Sequence, residues 1–227
     1  MEKMPYRPEF DTQPTGSTGT AARRTSTTES ITSSWREQLP VLVGRSIVLR
    51  EMRHTDAPSL FALLTTEEVS RFISPPPSSI DGFERFIQWA ARQRTAGAYA
   101  CFAVTLAESD TAIGIFQIRS TEPGFGTAEW GFALGQDFWG TGVFKEAAEL
   151  VMDFAFGTIG VHRLEARAAL RNARGNGALR KIGARQEGVL RKSFMRNGEY
   201  LDQALWTVLD EDWRAKTFFG GGRMILH

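Results

Sequence analysis

Between residues 127 and 155 the spacing of the apolar residues changes, and a run of three residues carries the change. Thr127 to Leu134 is short and apolar, which reads as a strand. After Gly140-Thr141-Gly142 the apolar positions Val143, Phe144, Ala147, Leu150, Val151, Phe154 and Ala155 recur every three or four residues, which reads as a helix. A strand that turns into a helix through two glycines leaves backbone N–H groups and the positive end of the helix dipole facing outward with no side chain over them. Such a junction can cradle a pyrophosphate. No Gly-Lys-Ser/Thr follows, so it is not a nucleoside-triphosphate loop, and the third glycine of a dinucleotide fingerprint is missing.

The rest of the chain alternates in the same way. Val41 to Arg50 is apolar and β-branched and predicts a strand; Asp56, ahead of Leu60, Phe61, Leu63 and Leu64, predicts a helix that Pro75-Pro76-Pro77 separates from the next. Ser78 or Ser79 caps a helix carrying Phe83, Phe86, Ile87 and Ala90, which ends at Gly97. Strands follow at 99–106 and 112–118, then the junction, a strand at 163–169, a helix from Arg174 to Ile182, and a hairpin turning at Asn197-Gly198. From Thr12 to Ser34, 13 of 23 residues are Ser or Thr, so residues 1–38 are expected to be a disordered tail. The folded domain is expected over 39–215, with a C-terminal tail at 216–227.

Composition excludes several classes. Formal net charge is +1, so no global field draws the protein onto nucleic acid, and any basic site is local. One such stripe exists: from Arg163 to Arg196 there are ten Lys or Arg against Glu165 and Glu187. No aromatic platform accompanies it, and nucleic acid is not expected as a partner. The single cysteine, Cys101, rules out a disulfide within the chain and reads as a small buried hydrophobe. His54, His162 and His227 are far apart, so no metal is expected. With no long apolar run and no signal-peptide h-region, a cytoplasmic location and no membrane partner are expected.

The stretch Ala128-Glu129-Trp130-Gly131-Phe132-Ala133-Leu134, followed by Phe138-Trp139-Gly140-Thr141-Gly142-Val143-Phe144-Lys145-Glu146-Ala147, resembles the acetyl-CoA motif of GNAT N-acetyltransferases, and most closely the Rim-type branch of ribosomal-protein N-terminal acetyltransferases and their relatives. The likeness runs from about residue 40 to 213 through His162-Arg163-Leu164-Glu165-Ala166, Asn172, Leu179 to Ala184, Glu187 to Leu190, Gly198, Asp202 and Asp212-Trp213. It implies a mixed α/β fold: a central, mostly antiparallel sheet splayed at its fourth strand, with helices on both faces. Two positions depart from the pattern. Asp137 stands where the branch has Gln or Arg, and Gly175 where it often has Ser three residues after the asparagine.

The implied activity is acetyl transfer from acetyl-CoA to a primary amine, a protein N-terminus or a small molecule, by direct attack in a ternary complex. A catalytically silent acyl-CoA-binding module is the alternative, kept open by Asp137 and Gly175. By resemblance, backbone groups of Phe132 and Leu134 meet the pantetheine arm and Gly140, Thr141 and Gly142 the pyrophosphate, with Ala133, Trp139 and Val143 also at the cofactor. Asn172 is expected to bond the pantetheine amide and Asn176 to hold a water, and Arg174 and Arg180, in the basic stripe, to meet the 3′-phosphate end of coenzyme A. Glu129, beside apolar Trp130 and Phe132, is the expected general base. Gly175 leaves the general acid unassigned. Phe72 and Trp130 are expected at the acceptor, and the protein to be a monomer or homodimer.

Overall fold

The computed structural model describes residues 35–219. One eight-stranded sheet runs through the molecule: β1 (Leu42–Val43), β2 (Ile47–Glu51), β3 (Tyr99–Leu106), β4 (Ser109–Ser120), β5 (Thr127–Leu134), β6 (Arg163–Ala169), β7 (Arg185–Arg196) and β8 (Glu199–Leu209). Their spatial order is β1-β2-β3-β4-β5-β6-β8-β7. Every neighbouring pair is antiparallel except β5 and β6. The first apolar run folds as two strands because Gly44 turns the chain, its N–H bonded to the Ile47 carbonyl at 2.9 Å. The strand that was expected fourth is therefore fifth.

Helices cover both faces. On one side lie α1 (Ala57–Leu64), α2 (Glu67–Ser70) and α3 (Ile80–Thr95); on the other α4 (Val143–Phe154), α5 (Ala173–Lys181) and α6 (Asp210–Phe219). Alternation along the strands feeds two cores. Tyr99, Cys101, Ala103, Ile115 and Ala133 pack with Leu60, Phe83, Phe86 and Ile87. Ala100, Phe102, Phe116, Ile118 and Trp130 pack with Val143, Ala147, Val151 and Phe154. Ser79 caps α3 as expected, its hydroxyl accepting from the Gly82 N–H at 3.0 Å. Asn197 (φ 49°) and Gly198 (φ 80°) form the hairpin turn between β7 and β8. Cys101 is buried beside Met52, and burial pushes its thiol up to about 12.

The tail boundaries need correction where they fall on described residues. Residues 1–34 and 220–227 lie outside them, but residues 35–37 are helical and Trp35 is only 2% exposed. Its ring meets Phe125 edge-on at 5.6 Å and Phe154 at 6.5 Å. A composition average over a Ser/Thr-rich stretch hides one large apolar residue at its end. At the other terminus α6 continues to Phe219, and Lys216 donates to the Ile182 carbonyl at 3.0 Å, so residues 216–219 belong to the domain.

Candidate active site

The parallel ladder between β5 and β6 holds for three residue pairs only: Thr127 with Arg163, Ala128 with Leu164, and Glu129 with Glu165. Beyond Glu129 both strands continue, each paired on its other side, and a wedge opens between Trp130–Leu134 and Ala166–Ala169. The backbone polarity of the wedge follows from alternation. Gly135 donates to Ile113 on β4, whereas the Leu134 carbonyl, turned the other way, accepts from the Trp139 indole at 2.9 Å. The N–H and C=O groups of Phe132, two residues back, therefore also face the wedge, while the N–H of Trp130, four back, is taken up by the last ladder pair with β6. Of the two strand residues expected at the pantetheine arm, Phe132 faces the wedge with its backbone, and Leu134 does so with its N–H, while its carbonyl already has a partner. Ala133, between them, points its side chain into the opposite core.

At the wide end of the wedge the chain passes through a 3₁₀ turn (Gln136–Phe138) into the glycine junction. Gly140 (φ 78°) and Gly142 (φ 96°) are both left-handed, and Gly142 is the N-cap of α4. A Cβ at either would touch nothing within 4 Å, so glycine is required there by backbone conformation and not by crowding. The Thr141 hydroxyl donates to the Phe138 carbonyl at 2.8 Å. No side chain caps α4, so its first-turn N–H groups, starting at Val143, stand ready for an anion, while the Val143 side chain is buried in the core. The junction thus fits a pyrophosphate: exposed donors, an uncapped helix and open space above two glycines.

The other bank is built by α5. Asn172 caps it, Oδ1 accepting from Gly175 N–H at 2.9 Å, and the Asn172 backbone N–H donates to the wedge-facing carbonyl of Ala169 at 2.8 Å. A Cβ at Gly175 would lie 2.5 Å from the Asn172 amide nitrogen, so a larger residue there has to displace the end of that side chain. Asn176 is corrected from a cofactor contact to a structural tie. Its amide protons go to the Ala169 and Asn172 carbonyls at 2.9 and 2.8 Å, and its oxygen accepts from Trp206 at 2.8 Å. Arg174 lies 4.1 Å over the Trp139 ring, joining the two banks of the mouth. Arg180 is exposed on α5, its guanidinium 5.6 Å over Trp206.

Glu129 stands at the last ladder pair, where the wedge opens. Its surroundings differ from those expected. Trp130 and Phe132 lie on the opposite face, stacked with Phe116 at 6.3 and 5.5 Å, and Trp130 is 3% exposed. Trp130 is thereby corrected from an acceptor contact to a core residue, since adjacent strand residues point to opposite faces. What Glu129 does meet is Arg119 at 2.8 Å and Arg167 at 3.8 Å. Burial holds Arg119 below the ordinary guanidinium range; Glu129 draws it back up, and the charge of Arg167 pushes it further down. Next along the face, Arg163 binds both Glu165 (2.8 Å) and Glu187 (2.6 Å).

Arg119 and Arg167 were missed in the sequence because their meeting depends on the register of β4, β5 and β6, although period two alone puts 117, 119, 129, 131, 165 and 167 on the same face of their strands. Arg196 was missed as well. It reaches from the β7–β8 hairpin to donate to the Ser70 and Arg71 carbonyls at 2.8 and 3.3 Å, joining the hairpin to the end of α2. Phe72, expected at the acceptor, is the next residue, half-buried with the Arg71 guanidinium 5.2 Å over its ring. Asp137 is exposed in the 3₁₀ turn. No helix among the described residues is long and apolar enough to cross a membrane.

Comparison with known proteins agrees with this geometry. The family model described as Acetyltransferase (GNAT) domain matches residues 46–185. The probable N-acetyltransferase YjcK of Bacillus subtilis (strain 168) is 29% identical over 181 residues, covering 76% of this chain and 98% of that protein. A GCN5-related N-acetyltransferase from Brucella melitensis superposes with a TM-score of 0.67 at 25% identity, covering 78% of this chain and 81% of that one. RimL, a ribosomal alpha-N-protein acetyltransferase solved in complex with coenzyme A, shares the fold at a TM-score of 0.69 and 17% identity, covering 76% of this chain and 99% of that one.

Proposed function

Since the chain belongs to the GNAT acetyltransferase family and is an N-acetyltransferase, we propose that it moves an acetyl group from acetyl-CoA to a primary amine by direct attack, with both substrates bound at the β5–β6 wedge. The observation that carries this reading is the coincidence of three features at one place: a ladder that stops at Glu129, unpaired backbone beyond it, and an uncapped helix N-terminus behind Gly140-Thr141-Gly142. Acetyl-CoA, when bound, supplies a thioester whose C–S bond breaks as the amine nitrogen bonds to the acetyl carbon.

The chain's own groups divide the remaining work. The α4 N-terminus and the glycine backbone hold the pyrophosphate, and Phe132 with the Leu134 N–H orients the pantetheine arm. An N–H of the splayed strand polarises the carbonyl oxygen, which favours the tetrahedral transition state over the ground state. Glu129 receives the ammonium proton as the nitrogen becomes a nucleophile; its ion pair with Arg119 fixes the carboxylate in place. Gly175 carries no side chain that returns a proton to the departing sulfur, so solvent supplies it. A thiolate is a good enough leaving group for this to sustain turnover.

Thermal unfolding with and without acetyl-CoA tests the cofactor site, beside thiol release over a panel of amines and N-terminal peptides. A ligand at 100 times its dissociation constant stabilises by about 2.7 kcal/mol. The expected result is an upward shift that vanishes in Gly142→Glu, with thiol release for at least one amine class. Absence of a shift removes the coenzyme A assignment; a shift without turnover on any amine supports the silent binding module instead.

A further inference from the structure

On the face of the sheet that carries Glu129, the groups at the wedge vertex form an alternating set of charges. Arg119, Glu129 and Arg167 come from three adjacent strands, and together they carry one net positive charge. Arg119 is committed to Glu129 at 2.8 Å. Arg167 is not: its contact with Glu129 is 3.8 Å, its side chain is 39% exposed, and it makes no hydrogen bond among the described residues. An exposed pair at that distance adds little stability. Burial does most to hold Arg119 down and Glu129 opposes it; the charge of Arg167 lowers it further, and an anion beside Arg167 would offset that repulsion.

The β5 position beside it carries no side chain of its own and is covered by a polar donor. Gly131 gives β5 no side chain on this face, and the Gln117 amide nitrogen lies 3.1 Å from where a Cβ there would sit. Gln117 Oε1 accepts from the buried Tyr99 hydroxyl, which turns its NH₂ group over Gly131. A strand glycine at such a point permits close approach of a ligand. The carboxylate oxygen of Glu129 and the guanidinium of Arg167 are therefore spaced for an acceptor that carries the opposite charges in the opposite order.

We propose that the acceptor is a small amine whose amino group stands one carbon from a carboxylate, an α-amino acid, with its ammonium facing Glu129 and its carboxylate held by Arg167 and the Gln117 amide. The two charged groups of such a molecule are about 3 Å apart, which matches the 3.8 Å between the protein groups that face them. A planar guanidinium takes a carboxylate through two parallel hydrogen bonds, which fixes the amine as well as the anion. A protein N-terminus presents a neutral peptide carbonyl at that position and leaves Arg167 unmatched. This assignment rests on the acetyltransferase reading of the wedge and names its acceptor.

The experiment compares matched sets on the full chain: an α-amino acid, its primary amide, the amine lacking the carboxyl group, and a tetrapeptide with the same N-terminal residue. Thiol release gives kcat/KM, and thermal shift of the CoA-loaded protein gives acceptor binding without turnover. The amino acid is expected to exceed its amide by about tenfold or more in kcat/KM, the worth of one charge-assisted contact, and to shift the melting temperature where the amide does not. Arg167→Gln brings the ratio towards one, and Arg167→Lys restores part of it; an unaltered acetyl-CoA shift in both shows that they fold. Equal rates across the set, preference for the tetrapeptide, or a ratio that survives Arg167→Gln overturns the proposal while the acetyltransferase reading stands. No acetyl-CoA shift in the wild type overturns both.

Discussion

Replacing Gly142 by alanine separates what the backbone requires from what space allows. A Cβ at Gly142 meets nothing within 4 Å, so the substitution causes no collision. It does force an L-residue to φ 96° at the N-cap of α4, a left-handed conformation that costs about 1–2 kcal/mol. Gly177 is the internal control, since it is equally unobstructed but lies inside α5 without a positive φ. Alanine there is expected to stabilise by about 0.5–1 kcal/mol. For a domain of this size each kcal/mol moves the melting temperature by about 2–4 °C. Calorimetric scanning should therefore place Gly142→Ala roughly 2–8 °C below the wild type and Gly177→Ala slightly above it. Repeating the scans with acetyl-CoA should show a reduced shift in Gly142→Ala alone, because the first-turn N–H groups are re-aimed. A Gly142→Ala protein as stable as the wild type would refute the backbone argument, and one that keeps the full ligand shift would refute the placement of the anion site.

Other expectations concern the scaffold around the site. Arg50 and Asp56 are 5% and 3% exposed and paired at 2.8 Å, so Asp56→Asn leaves the buried guanidinium with only the exposed Asp110 carboxylate and should cost about 3 kcal/mol in urea unfolding; a loss under 1 kcal/mol contradicts this. The Arg163 guanidinium first, and then the Thr207 hydroxyl, hold the Glu187 carboxyl below the usual glutamate range. A depressed folded-state pKa contributes stability that is present above the unfolded pKa and lost as pH falls through the folded one. The melting temperature of Glu187→Gln should accordingly fall less steeply than the wild type's below about pH 4.3, and parallel curves would count against the pair. Cys101, with its thiol pushed up to about 12, should resist a thiol reagent at pH 8 in the native protein and react once per chain when unfolded; rapid native labelling would contradict its burial.

Local signals were read from the sequence most reliably. Ser79, the Asn197-Gly198 turn and the strand-glycine-helix junction each depend on a few consecutive residues whose backbone angles those residues favour. Asn176 and Trp130 show where that ends. Both lie in segments that resemble a cofactor motif, yet one ties α5 to β6 and β8 and the other fills the core beneath α4. For Trp130 the period of two already placed it opposite Glu129. For Asn176 nothing in the sequence told that Trp206, 30 residues on, would present its indole N–H. Trp35 was hidden by its polar neighbours, because composition averages out the one residue able to anchor the segment.

The sequence by itself determined the order of strands and helices, the left-handed glycines before α4, and membership of the acetyltransferase family, since these follow from adjacent residues and from motif spacing. The tertiary structure decided the length of the β5–β6 ladder, which stops at Glu129, and the meeting of Arg119, Glu129 and Arg167 on one face. The physical reason is register: β4, β5 and β6 are brought together by two cores packing from opposite sides, and a shift of one residue in any strand would turn these charges into the interior.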